Sequence, residues 1–177
     1  MNNDFMIIGI TSPIFFDGEA ERINKLLSNN EVDYIHIRKP ESTILELKKL
    51  IEKINPEFFR RLKLHDHFEL LDVYPLGGIH LNKRNNTIHP KATSISYSVH
   101  SINEIEEINE HEYFFISPVF DSISKKGYKS GFNLNELSLK IKGKKAIALG
   151  GITPQKIPLL KKMGFYGAAM LGYFFPD

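Results

Sequence analysis

The segment Leu149-Gly150-Gly151-Ile152-Thr153-Pro154 places two adjacent glycines at the end of an apolar run and just before a helix start. Glycine lets the backbone approach an anion closely, and unpaired amides together with the field of a helix favour negative charge, so this segment can cradle a phosphate. A second glycine follows the last apolar run, at Leu171-Gly172. One Gly-Gly pair is explained equally well as a chain turn. The two glycine-bearing ends together favour phosphate.

The stretch from Ser117 to Gly127 carries Ser122, Ser124, Lys125 and Lys126, a composition suited to covering an anionic ligand and equally common in solvated loops. Its hydroxyls can donate to a carboxylate or phosphate, and an ammonium can neutralise a departing diphosphate. His36, His65, His67, His80 and His100 fall at or near the ends of apolar runs. They can act as general acids or bases near neutrality, or ligate a transition metal. His65 and His67 share a face if the run containing them is one extended strand, but the pair lacks a third ligand. Asp66, between them, can contribute to a magnesium site completed by substrate oxygens.

These residues need a scaffold that brings strand ends together. Eight short apolar runs alternate with helical patterns: Phe5 to Ile10, Val32 to Arg38, Leu62 to His67, Gly78 to Asn82, Thr93 to Ser98, Tyr113 to Ser117, Ala146 to Gly150 and Gly167 to Leu171. This is the pattern of repeated βα units, and it predicts a single (β/α)8 barrel over residues 1–177 in preference to an open doubly wound sheet. Ile23, Leu26 and Leu27 mark a first helix; Ile44, Leu47, Leu50, Ile51 and Ile54 form a stripe for a second. Thr43 with Glu46, and Ser101 with Glu104, have capping-box spacing. Thr153-Pro154 opens a late helix that Pro158 delays, and only a turn or two of helix fits after the third and fourth strands.

In the second strand Ile35 and Ile37 alternate with His36 and Arg38, so the apolar pair is expected against the helices and the polar pair at the barrel mouth. Ser94, Ser96 and Ser98 alternate in the same manner. The chain lacks room for an eighth helix, and Tyr173, Phe174 and Phe175 are expected to cover that wall through a subunit contact, giving a homo-oligomer. There are no cysteines and the formal net charge is only +2. This composition argues against a disulfide framework, a nucleic-acid partner and a membrane partner, and a cytoplasmic location is expected.

The ordered motifs Val32-Asp33-Tyr34-Ile35-His36-Ile37-Arg38, His80-Leu81, Ser98-Val99-His100-Ser101, Pro118-Val119-Phe120 with Ser122, Ser124 and Lys125, Leu149-Gly150-Gly151-Ile152, and Gly164 with Gly167 resemble the thiamin phosphate synthase and TenI (thiazole tautomerase) superfamily along nearly the whole chain. The resemblance implies that a pyrimidine pyrophosphate ionises, magnesium pyrophosphate leaves, and the nitrogen of a thiazole phosphate attacks the carbocation. It implies that Arg38, Ser98 and Lys125 hold pyrophosphate, Asp66 ligates Mg2+, and Ser122 and Ser124 contact the thiazole. It also gives the thiazole phosphate to the amides of Gly150, Gly151, Leu171 and Gly172.

Against that pattern, Pro40 replaces a lysine, His65 and His67 replace the asparagine and arginine beside Asp66, and Asn85 falls where a second magnesium aspartate is expected. Thiamin phosphate synthesis is therefore weighed against two alternatives. One is a metal-independent tautomerase using His36 or a nearby imidazole, since the tautomerase histidine after strand six is Pro118 here. The other is a protein that binds thiazole phosphate or thiamin phosphate without turnover.

Overall fold

Alternation along a strand sends one set of side chains inward and the other outward, and the computed structural model, which describes residues 5–106, 113–121 and 130–175, shows where both sets go. The strands β1 (Met6–Ile10), β2 (Tyr34–Ile37), β3 (Leu62–Leu64), β4 (Gly78–Leu81), β5 (Ile95–Val99), β6 (Tyr113–Ile116), β7 (Ala146–Ala148) and β8 (Gly167–Met170) are all parallel and close into a barrel in chain order. β8 pairs back onto β1, with Met6 opposite Gly167 and Gly9 opposite Met170, so the sheet has no edge. Both β2 and β3 are three residues shorter than the predicted runs, and β3 loses all of them at one end, stopping at Leu64.

The outward residues meet helices α1 (Glu19–Ser28), α2 (Ile44–Ile51), α3 (Ile102–Glu106), α4 (Leu134–Lys140) and α5 (Ile157–Met163). Ile23, Leu26 and Leu27 of α1 and Leu47, Leu50 and Ile51 of α2 pack on Ile35, Ile37, Leu62 and Leu64, all buried. Ile44, read as part of the α2 stripe, is instead exposed at the helix start, where no strand lies beneath it. The Thr43 hydroxyl accepts from the Glu46 amide at 3.3 Å while the Glu46 carboxylate accepts from the Thr43 amide at 2.8 Å, the expected reciprocal cap. Ser101 accepts from the Glu104 amide at 3.3 Å, but there the Glu104 carboxylate accepts from the His100 amide at 3.0 Å, one residue earlier than in a capping box. Thr153 leads into a 3-10 turn (Pro154–Lys156), and α5 begins only at Ile157, with Pro158 in its first turn where no amide is needed. After β3 the crossover is reduced to a 3-10 turn, Phe68–Asp72.

The inner set divides the lumen into two halves. Ile8 and Ile10 of β1, Tyr113 and Phe115 of β6, Ile147 of β7 and Ala169 of β8 form an apolar cluster. On the opposite side, His36, Lys63, His65, His80 and Ser96 are buried on β2 to β5 and the segment that follows β3. The expectation that the polar set sits at the mouth needs correction. His36 and Ser96 are fully enclosed inside the barrel, because parity selects the inner face but not the height along the axis.

The aromatic end also differs from its prediction. Phe174 and Phe175 are buried in the chain's own core, not offered to a second subunit. Their amides both donate to the Leu171 carbonyl, at 3.0 and 2.8 Å, so the chain after β8 folds back as a turn. Arg22 of α1 locks it by donating to the Phe174 carbonyl at 3.1 Å, so the turn packs against the outside of the barrel beside α1. Tyr173 alone of the three is exposed.

Candidate functional site

The C-terminal ends of β7 and β8 present the glycines. Gly150 has φ 95° and Gly151 φ 61°, two consecutive left-handed residues that side chains disfavour. Space imposes the same choice: a Cβ on Gly150 would lie 2.7 Å from Pro118 Cβ, and one on Gly151 would lie 2.2 Å from the Asp121 carbonyl oxygen. The loop after β6 is laced to this turn, with the Val119 amide donating to the Leu149 carbonyl at 2.8 Å and the Phe120 amide to Gly150 at 3.2 Å. The carbonyls on this turn are thus spent. The amides of Gly150, Gly151 and Gly172 donate to no group among the described residues. Lys156 donates to the Gly151 carbonyl at 2.5 Å and lies over the Phe120 ring, which puts a cation beside the turn.

Across the mouth, Arg38 follows β2. Its backbone is fixed by the Thr11 hydroxyl, which accepts from the Arg38 amide at 3.0 Å. Its half-buried guanidinium makes no hydrogen bond to a described residue. Burial, reinforced by the neighbouring Arg84 charge, pushes the Arg38 pKa down, while Asp66 opposes the shift. Asp66 is itself buried. Its Oδ1 accepts from Arg84 Nη2 at 3.1 Å and Asn85 Nδ2 at 3.2 Å, and its Oδ2 accepts from the Lys39 amide at 3.2 Å.

This donor set does not fit a magnesium ion. Three N–H groups occupy most of the carboxylate's acceptor capacity, one of them cationic, and Asn85 supplies an amide where a second carboxylate was expected. A hard dication there would meet the Arg84 charge at short range.

Ser98 lies at the end of β5, 2.9 Å from Nε2 of His80. The other His80 nitrogen, Nδ1, is 2.9 Å from Ser96 Oγ. His36 Nδ1 is 2.9 Å from His65 Nε2, and His36 Nε2 is 2.7 Å from the Tyr113 hydroxyl. Ring nitrogens of His36, His65 and His80 lie within 4.8 Å of one another, so the third imidazole that the His65 and His67 pair lacked comes from elsewhere. His67 leaves the strand in a left-handed conformation and its Nε2 is 2.7 Å from the Ser42 carbonyl oxygen, which corrects the shared-face reading. Burial is the first cause that lowers all three clustered histidines, His36 and His65 well below their usual range and His80 to about 3. They are neutral, hydrogen-bonded core groups at pH 7. The buried Lys63 ammonium, held over the Tyr34 and Tyr113 rings, adds positive charge that a metal dication in this lumen would have to oppose.

His100 is exposed, and its Nδ1 is 2.9 Å from the Ser117 carbonyl oxygen at the end of β6. Nδ1 must carry the proton there, since a carbonyl only accepts, so neutral His100 has its Nε2 lone pair available. Ser122, Ser124 and Lys125 lie outside the described residues.

Sequence reasoning missed Lys39 and Glu19, both buried. Lys39 Nζ donates to Glu19 Oε1 at 2.7 Å and Oε2 at 2.8 Å, and to the carbonyls of Ile14 and Ser12 at 2.7 and 2.9 Å. Burial raises the Glu19 pKa and lowers that of Lys39, each opposed by the partner's charge. The pair straps the end of β2 to the loop after β1. The only sequence trace was a lysine next to Arg38 with an acid at a helix start.

A model of the family described as thiamine monophosphate synthase matches residues 7–173. The chain belongs to that family. The thiamine monophosphate synthase relatives include a thiamine-phosphate synthase of Syntrophomonas wolfei, 25% identical over 187 residues that cover 97% of this chain and 88% of the relative. A solved thiamine phosphate pyrophosphorylase of Bacteroides thetaiotaomicron superposes with a TM-score of 0.84 at 33% identity, covering 95% of this chain and 83% of its own. A thiamine phosphate pyrophosphorylase of Pyrococcus furiosus has a TM-score of 0.77 at 18% identity, covering 96% and 87%, which shows the shared fold. Membership of the thiamine monophosphate synthase family implies a transferase, and agrees with the resemblance drawn from the motifs. Among the described residues no helix is long and apolar enough to cross a membrane.

Proposed function

We propose that this protein joins hydroxymethylpyrimidine pyrophosphate and thiazole phosphate to give thiamin phosphate and pyrophosphate. The observation that carries this reading is the pairing of two anion-ready groups across one barrel mouth. The unspent guanidinium of Arg38 lies on one side, and the undonated amides of Gly150, Gly151 and Gly172 lie on the other. Two separated anions on two substrates match that arrangement better than one small monoester does.

The carbon–oxygen bond to the diphosphate breaks and its electron pair leaves with the diphosphate. The thiazole nitrogen then donates its pair to the methylene cation to form the new carbon–nitrogen bond. Arg38 stabilises charge that grows on the leaving group, which lowers the barrier to ionisation. The resemblance gives Ser98 and Lys125 to the diphosphate and Ser122 and Ser124 to the thiazole, the last three lying outside the described residues. The amides of Gly150, Gly151, Leu171 and Gly172 anchor the thiazole phosphate and hold its nitrogen in line. His36 takes no part in proton transfer in this scheme, because it is enclosed and both its ring nitrogens are engaged.

Supplying both substrates should yield thiamin phosphate with one pyrophosphate per turnover, read by chromatography and a phosphate-release assay. Arg38→Ala should lower kcat/KM about a hundredfold. No product from the wild-type chain under any metal condition sinks the reading. The reach of His100 from the end of β5 to the Ser117 carbonyl at the end of β6 favours a second one, isomerisation of a thiazole carboxylate phosphate with Nε2 as base. That reading requires isomerisation without metal, lost in His100→Gln.

A further inference from the structure

We infer that the diphosphate half of this site is completed by the guanidinium of Arg84, which occupies the place of a divalent cation so that an inorganic diphosphate group binds without metal. This rests on the reading that the mouth beside Arg38 receives a diphosphate.

The loop that carries Arg84 is built, not merely exposed. The Asn82 and Asn85 backbones bond each other in both directions, at 2.9 and 3.1 Å. The Asn82 side-chain oxygen accepts from the amides of Arg84 at 2.9 Å and Asn85 at 3.2 Å. Both asparagine side chains also donate to the His65 carbonyl, at 2.8 and 3.2 Å, which pins the loop to the end of β3. On this support Arg84 meets Asp66 through Nη2 alone. Most of its N–H donors therefore stay available for another anion.

The charge balance points to the occupant. Arg38 and Arg84 lie close enough that the second depresses the pKa of the first, and Asp66 is the carboxylate set against them. Glu69 is 3.4 Å from the His67 ring and is exposed. Two guanidinium groups face one buried carboxylate, and the second acid, Glu69, is exposed beside His67, so the inner part of the mouth carries a surplus of positive charge that an anion would offset. A cleft of about 410 Å3 opens beside it, its lining including Ser42, Asp66, His67, Arg84 and Asn85, with the exposed Glu69 at its outer side. The planar forks of two arginines suit the several oxygens of a diphosphate. The same guanidinium that takes one of the three hydrogen bonds on Asp66 also sets a positive charge where magnesium would sit, so Arg84 contributes to both the poor metal fit and the surplus charge.

The test is titration calorimetry with inorganic pyrophosphate, in EDTA and then with magnesium. Wild-type protein should bind in EDTA, with at most a modest gain from magnesium. Arg84→Gln, at an exposed position with folding checked by circular dichroism, should weaken binding in EDTA at least tenfold, and Arg84→Lys should recover part of it. Arg84→Asp should abolish binding in EDTA and regain it with magnesium. Wild-type binding that requires magnesium, or an unchanged affinity in Arg84→Gln, overturns the inference while leaving the functional reading intact. Absence of binding under both conditions removes the diphosphate subsite itself, and the synthase reading with it.

Discussion

Between pH 6.5 and 5 the protein should lose stability steeply, by up to about 4 kcal/mol for each pH unit. His36, His65 and His80 are enclosed in the lumen, and burial holds each of them well below the ordinary imidazole range, His80 at about 3. The sign follows from proton counting. Once the pH falls below about 6.5 the unfolded chain can protonate these rings, whereas the folded chain cannot. The unfolded state binds more protons, so acid favours it, and the loss continues until the folded pKa values are reached. Carboxylates do not titrate appreciably in the upper part of that window, which isolates the imidazoles. A domain of ordinary stability, about 5–15 kcal/mol, should unfold within a few pH units. Urea midpoints measured from pH 8 to 4.5 check this, and His65→Gln should reduce the slope by about one proton. A flat profile from pH 7 to 5 would contradict the enclosed, neutral cluster.

Lys39→Met should cost about 3–5 kcal/mol, because it strands the Glu19 carboxylate in a buried site and leaves the Ser12 and Ile14 carbonyls without their donor. The charge pair is not itself a strong source of stability, since both groups lost water to form it. Glu19→Met combined with Lys39→Met should therefore regain most of the loss. The measurement is denaturant unfolding of the single and double variants, comparing midpoints at unchanged slope. A single variant within 1 kcal/mol of wild type would show that the strap between β1 and β2 is not needed.

These two clusters also mark where the sequence was readable. Each strand is a short apolar run bounded by helix signals, so eight runs could be placed and their parity gave the inward side of His36 and Ser96. Depth was not accessible in that way. How far a side chain sits below the rim depends on register against neighbours, such as His36 beside Lys63, and register is a property of pairs. His67 was misplaced because alternation was extended beyond Leu64, where the backbone turns left-handed. Phe174 and Phe175 were assigned to a partner because a contiguous aromatic run was expected to need cover, and no local pattern announces that a chain will fold back on itself. The glycine turn was legible as a candidate since its conformation is a local demand. Arg84 was not, because its significance comes from Asp66 and Arg38, which the fold alone brings near.

The divided lumen has a consequence for how this barrel tolerates change. On the side built from Ile8, Ile10, Phe115, Ile147 and Ala169, neighbours ask only for volume, and many apolar exchanges that preserve it will be absorbed. On the side built from His36, His65, His80 and Ser96, each group is bound to a specific partner, and replacing one orphans another. Drift within a lineage should therefore accumulate on one arc of the ring and stall on the other, where substitutions survive only in matched sets.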